Sequence, residues 1–218
     1  MHDPAEAYRR LLDRYGPQRW WPAETDFEVI VGALLMQQTT WANVERAIAN
    51  LREAGLLDVH ALAAASAAAI RRHVRVAGLY RTKPGRIKAF CRHLVDRCDG
   101  DLGAYFGRPT AEVRADLRAQ DGVGPETADS ILLYAGRHPV FVVDAYTVRI
   151  GTRLGLFRAR EYEAVQRFFE SGLPRDVAAY QEYHALLVAH AKALCRPRPK
   201  CRECPLLAAC SFGRRQTS

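Results

Sequence analysis

Apolar residues recur at intervals of three and four along nearly the whole of this 218-residue chain, and alternating apolar and polar runs are scarce. A period near 3.6 buries one face of a helix, whereas a half-buried strand needs a period of two, so the spacing predicts an all-α protein. Helices are expected at about 4–14, 26–37, 40–54, 58–65, 66–73, 82–98, 110–120, 125–136, 144–154, 161–171 and 176–194. Asp26 reads as an N-cap, Pro84 fits the first turn of its helix, and Gly55, Gly100 and Gly155 follow helix ends. HPVFVVDA, residues 138–145, is the one strand-like stretch; lacking a partner strand, it is expected to run extended through the core. The alanine-rich run 61–70 reads as close helix packing.

A chain of this length can bury one sizeable core or two smaller ones, and two lobes are expected. No apolar run is long enough for a membrane span, and MHDPAEAYRR lacks the apolar middle of a signal peptide, so a soluble, cytoplasmic protein is expected. The formal net charge of +8 suggests a polyanionic partner such as nucleic acid. Lysines are few: Lys83, Lys88, Lys192 and Lys200. That matters because a guanidinium stays protonated and cannot act as an amine nucleophile.

Two stretches carry chemistry. In DGVGPETA, residues 121–128, the glycines lack a Cβ and can turn the backbone so that its N–H groups approach another surface. Pro125 then opens a helix whose first-turn N–H groups join the array, which suits a phosphate; a plain tight turn is the alternative. In the stretch CRPRPKCRECPLLAAC, the cysteines Cys195, Cys201, Cys204 and Cys210 form C-x5-C-x2-C-x5-C. Four thiols so close together favour a metal over disulfides, and spacing alone leaves zinc and an iron-sulfur cluster as rivals. Cys91 and Cys98 lie within a helical pattern and read as buried small hydrophobes.

The run LRAQDGVGPETADSILLYAG, followed by VVDAYTVRI, resembles the helix-hairpin-helix DNA glycosylases of the endonuclease III superfamily, and the likeness extends from FEVIVGALLMQQTT to the terminal cysteines. The resemblance implies two helical lobes with a DNA-binding cleft between them. One is a barrel of residues 26–137 carrying the hairpin; the other joins 1–25 to 138–218 and holds the cluster loop 195–210. It implies a [4Fe-4S] cluster on the four cysteines, although the family's gaps are six, two and five and the first gap here is one shorter. It implies damaged double-stranded DNA as partner, a monomer, and action at the nucleoid if the source is prokaryotic. Hairpin residues Gly122, Val123, Gly124 and Thr127 would hold a phosphate, a contact that gives affinity and register without reading bases.

The same resemblance assigns catalysis to Asp144. Breaking an N-glycosidic bond develops positive charge on the sugar, which a carboxylate can stabilise while positioning water. On position alone, Asp144 would be a helix N-cap. Members that also cut the strand carry lysine in GVGxKTA, where this chain has Glu126; a carboxylate cannot form the Schiff base, so efficient lyase activity is not expected. The adenine-excising members carry a glutamate where Ala33 stands. What remains looks most like the relatives that remove alkylated purines such as 3-methyladenine. Gln38 and Leu79 match the residues that fill the gap left by the flipped base, and Trp41 and Tyr134 are candidates to stack on it. Arg81, Lys83 and Arg86 could meet phosphates, as could Arg196, Arg198, Lys200 and Arg202, while His184 and His190 read as core histidines. The competing readings are a DNA-binding paralogue with little or no catalysis, and a bifunctional glycosylase and AP lyase using a non-standard residue.

Overall fold

The computed structural model describes residues 3–217. Among the described residues thirteen α-helices follow one another: α1 (Pro4–Tyr15), α2 (Asp26–Leu35), α3 (Trp41–Glu53), α4 (Val59–Ala64), α5 (Ala67–Val74), α6 (Lys83–Cys98), α7 (Leu102–Phe106), α8 (Thr110–Arg118), α9 (Pro125–Tyr134), α10 (Ala145–Leu154), α11 (Tyr162–Gly172), α12 (Val177–Ala193) and α13 (Ser211–Thr217). No strand occurs among the described residues.

Two compact units emerge, one spanning Ala23–His138 and the other joining the residues up to Pro22 to those from Pro139 onward. The first is built around α2, whose residues Val29 to Leu35 are all buried. A helix apolar on every side belongs in a core, and α2 is accordingly surrounded by α3, α6 and α9. In the second unit α12 packs against both α1 and α10. Its aromatic centre sets Phe141 flat on Phe169, with ring centroids 4.4 Å apart, and places Tyr180 and Tyr183 edge-on to Phe141.

Helix starts follow local chemistry. Asp58, Ser66, Asp101, Asp144 and Asp176 each accept a hydrogen bond from the backbone N–H three residues on. The expected cap at Asp26 is displaced by one residue: Thr25 is the cap, accepting from Glu28 N at 3.1 Å, while Asp26 opens the helix and pairs with Arg137 at 2.8 Å. α7 and α13 were not expected. Both are under two full turns, too short for an apolar period to show.

Residues 139–143 lie outside any helix and strand, and 140–143 are buried, in line with the expected passage through the core. With no partner strand, their backbone takes its hydrogen bonds from α11. Glu170 accepts from Phe141 N at 2.9 Å, Gln166 donates to Phe141 O at 2.8 Å, and the Tyr162 hydroxyl lies 3.3 Å from Val143 N. The polar positions of α11 thus substitute for a neighbouring strand, which allows a buried segment to run straight into the N-terminus of α10. Removing one such partner leaves a buried carbonyl unsatisfied. Gln166→Leu is therefore expected to lower the unfolding free energy by about 1–3 kcal/mol, read from urea denaturation.

Candidate functional site

In the Ala23–His138 unit, α8 and α9 are locked by a bidentate ion pair. Arg114 Nε and Nη2 donate to the two carboxylate oxygens of Asp129 at 2.6 and 2.8 Å, and Asp129 is fully buried. The turn between the helices hangs from this pair. Its two glycines act differently: Gly122 adopts φ +78°, whereas Gly124 is extended at φ −80°, ψ 177° and is the N-cap of α9. A Cβ on Gly122 would come within 2.6–2.7 Å of the Arg86 guanidinium; one on Gly124 would meet nothing within 4 Å. Val123 is buried and anchors the tip, and Gly124 offers no side chain to cap the first-turn N–H groups of α9. The space beside Gly124 is open, with Glu126 exposed and Thr127 half-buried next to it.

Two further loops adjoin this turn. After α2 the chain turns through Gln38, exposed at φ +52°; before α6 it turns through Gly78 and Leu79, at φ +72° and +44°. Left-handed backbone at Gln38 and Leu79 costs on the order of 1 kcal/mol each, so both conformations need support. Leu79 and Tyr80 are large apolar side chains left 40% and 39% exposed. Gln37 Nε2 donates to Gly122 O at 2.5 Å, joining the first loop to the hairpin, and Arg86 joins α6 to it through Asp121 at 3.2 Å.

Lys83, a candidate for a phosphate contact or for a solvated face, is neither. It is 1% exposed, and its ammonium donates to Leu35 O, Gln37 O and Ala77 O at 2.7–2.8 Å. Burial pushes its pKa down to about 8. Lys88, the next lysine in the unit, donates to Ala65 O at 2.6 Å. Trp41 opens α3, half-buried, whereas Tyr134 is 3% exposed at the end of α9 and packed within its unit.

In the other unit, Asp144 ends the extended segment and caps α10. Its Oδ1 accepts from Thr147 N at 2.7 Å and from the Thr147 hydroxyl at 2.8 Å; its Oδ2 lies 3.7 Å from His184 Nε2. Desolvation favours the neutral acid, but His184 and the two Thr147 donors together outweigh it, holding the pKa below the ordinary carboxylate value. Asp144 is therefore an anion at neutral pH, with one oxygen committed to the helix and the other turned toward an imidazole. His184 is a buried histidine, as expected, and the group it faces is this carboxylate. Its position 40 residues away on α12 leaves no local pattern in the sequence.

The four C-terminal cysteines line one small pocket together with Arg153, Leu194, Leu207 and Phe212. Among the described residues, no three His, Cys, Asp or Glu side chains converge tightly enough for a single metal ion. Arg153 braces the pocket: it donates to Arg196 O at 2.7 Å and Pro197 O at 3.1 Å, and its Nη1 lies 3.3 Å from Cys195 Sγ. His190 Nδ1 pairs with the Tyr15 hydroxyl at 2.9 Å, its Nε2 is 3.6 Å from Cys204 Sγ, and burial pushes its pKa down to about 4.

The depressed pKa of Asp144 has a pH signature. Because the folded value lies below the unfolded one, the ionised carboxylate stabilises the fold fully above the ordinary value of 3.8, and this contribution is lost as pH falls through the folded pKa. The stability gap between the parent and Asp144→Asn should thus hold steady from pH 7 to pH 5 and narrow below, as measured by chemical denaturation across that range.

Known proteins share this architecture. A Methanocaldococcus jannaschii protein named "Putative DNA repair glycosylase MJ1434" is 44% identical over 205 residues, covering 93% of each chain. The Helicobacter pylori 3-methyladenine DNA glycosylase, solved bound to 1,N6-ethenoadenine, superposes with a TM-score of 0.78 at 26% identity, covering 87% of this chain and 97% of its own. A non-covalent endonuclease III–DNA complex superposes at 0.84 with 24% identity, over 98% and 96% of the two chains, a likeness of fold. Residues 31–175, which hold the hairpin, both adjoining loops and Asp144, match the family described as HhH-GPD superfamily base excision DNA repair protein. The chain belongs to that family.

Proposed function

We propose that this chain is a monofunctional DNA glycosylase that hydrolyses the N-glycosidic bond of a damaged, flipped-out base, with an alkylated purine as the substrate class. The observation that carries the reading is Asp144: an ionised carboxylate, oriented by Thr147 and His184, at the start of α10. As the bond to the base breaks, positive charge grows on the sugar, and a fixed anion stabilises it. Water supplies the new bond to the anomeric carbon and loses a proton, while the bonding pair leaves with the base. A purine alkylated at a ring nitrogen carries positive charge, so it departs neutral and needs less help than an ordinary base. The aromatic face of the half-buried Trp41 suits such a cation.

Binding belongs to the other unit in this reading. Gly122, Gly124 and Thr127 offer backbone N–H groups to a phosphate of double-stranded DNA, where the space in front of Gly124 is open, while Val123, whose N–H donates to Gln120 O at 3.1 Å, serves the turn by anchoring its tip rather than by an amide contact. Gln38 and Leu79, both exposed on left-handed turns, fill the gap left by the extruded nucleotide. Glu126 stands where lyase members carry lysine, and the two lysines of this unit, Lys83 and Lys88, are bonded to backbone carbonyls, which argues for water rather than an amine as the nucleophile.

Cys195, Cys201, Cys204 and Cys210 would hold a [4Fe-4S] cluster. The donor chemistry fits: four thiols line one pocket, the ligand set such a cluster takes, with Arg153 close to one sulfur. Such a group, when bound, would pin a loop that has little core of its own. Anaerobically purified protein is accordingly expected to be brown with about four irons per chain, measured by visible absorption and iron analysis; a colourless, zinc-loaded protein would overturn the assignment.

Duplexes carrying alkylated, oxidised or mismatched bases test the activity. Release of free alkylated purine is expected, Asp144→Asn should abolish it while duplex binding persists, and borohydride should trap no covalent adduct. A trapped adduct would establish an amine mechanism, and binding without any base release would favour a DNA-binding paralogue.

A further inference from the structure

The structure leaves one buried charge unexplained by catalysis or phosphate binding. Lys83 sits at the first position of α6, 1% exposed, with all three ammonium protons directed to backbone carbonyls. These acceptors come from two separate loops: Leu35 and Gln37 precede Gln38, and Ala77 precedes Gly78 and Leu79. The Lys83 backbone adds a further tie, since its N–H and that of Thr82 both donate to Leu79 O at 3.0 Å. The loops already approach each other, a Cβ on Gly78 lying 4.0 Å from Gln38 O. Burying an ammonium is costly unless its donors are all satisfied, and a salt-free tripod of carbonyls can be satisfied in only one arrangement of the two loops.

We propose that Lys83 is the positioning residue of the wedge: by fastening the Gln38 loop and the Leu79 loop to one ammonium, it fixes the separation at which the two side chains enter the base stack together. Each residue then stays in a left-handed conformation that an isolated loop would abandon. The inference rests on the reading of Gln38 and Leu79 as the pair that replaces the flipped nucleotide.

The wedge matters most where extrusion is opposed by a paired partner base, and this separates positioning from simple stability. Using the full chain, base release would be compared on two duplexes carrying the same alkylated purine, one pairing it with its normal partner and one placing it opposite an abasic site. Lys83→Met is expected to lose about 100-fold on the paired lesion, the scale of an ångström-sized misplacement, and to lose little on the unpaired one. Leu79→Ala should show the same split, and the double variant should be no worse than either alone. A 2-aminopurine placed beside the target reports unstacking without chemistry: Lys83→Met should bind the duplex with little fluorescence rise. Equal losses on both duplexes, or an undiminished rise, would overturn the proposal. Should Lys83→Met fail to fold, Thr82→Val takes its place; it removes only the exposed hydroxyl 3.3 Å from Leu79 O and should show a smaller split of the same direction. If the parent protein releases no base but still raises the fluorescence, the assigned activity fails while the wedge experiment remains readable.

Discussion

The carboxylate of Asp129 cannot be left alone. It is fully buried, and the bidentate grip of Arg114 is what permits an anion to sit at the packing surface of α8 and α9. Deleting one partner of such a pair typically costs about 3–5 kcal/mol, a large share of a domain's stability. Everything at the hairpin inherits its geometry from this contact: the left-handed Gly122, the buried Val123 tip, and the open first turn of α9. Hydrophobic packing alone would allow the two helices to slide, whereas two parallel N–H···O bonds set both their register and their distance.

A second layer of polar contacts organises the loops around that hairpin. Gln37 reaches Gly122 O, Arg86 covers Gly122 and pairs with Asp121, and Lys83 gathers three carbonyls. None of these side chains is a reacting group. Together they hold irregular backbone that carries exposed side chains, which helix packing by itself does not fix. The other unit solves the matching problem differently: its buried extended segment borrows hydrogen-bond partners from α11, so that Asp144 is delivered at a fixed end rather than on a free loop.

The helices were legible because nearly all are long enough for an apolar period to repeat, and their caps are short-range chemistry. α7 and α13 were not, being too brief for that signal, and Thr25 rather than Asp26 caps α2 because adjacent Thr and Asp compete for the same role with similar propensity. Among the candidate site residues, the hairpin glycines and the cysteines stood out through spacing along the chain, and Asp144 through the family resemblance. The sequence could not show that His184 faces Asp144 across 40 residues, nor that Lys83 points inward rather than to solvent. Lysine next to arginines reads as a surface charge, and only the arrangement of carbonyls in three dimensions shows otherwise. Tyr134 illustrates the converse, since an aromatic at a helix end looks available in sequence and is packed inside.

The two glycines of the hairpin, two residues apart in the same motif, answer to different selective pressures. At position 122 the backbone itself demands a residue that tolerates a left-handed twist and leaves room for a guanidinium, so a change there is felt by the folded protein. At position 124 the backbone is ordinary and a methyl group would touch no atom of the chain, so folding is indifferent to it; what a side chain would occupy is the clearance that the proposed phosphate contact requires. A saturation library scored separately for solubility and for affinity would see the first position constrained in both screens and the second in only one.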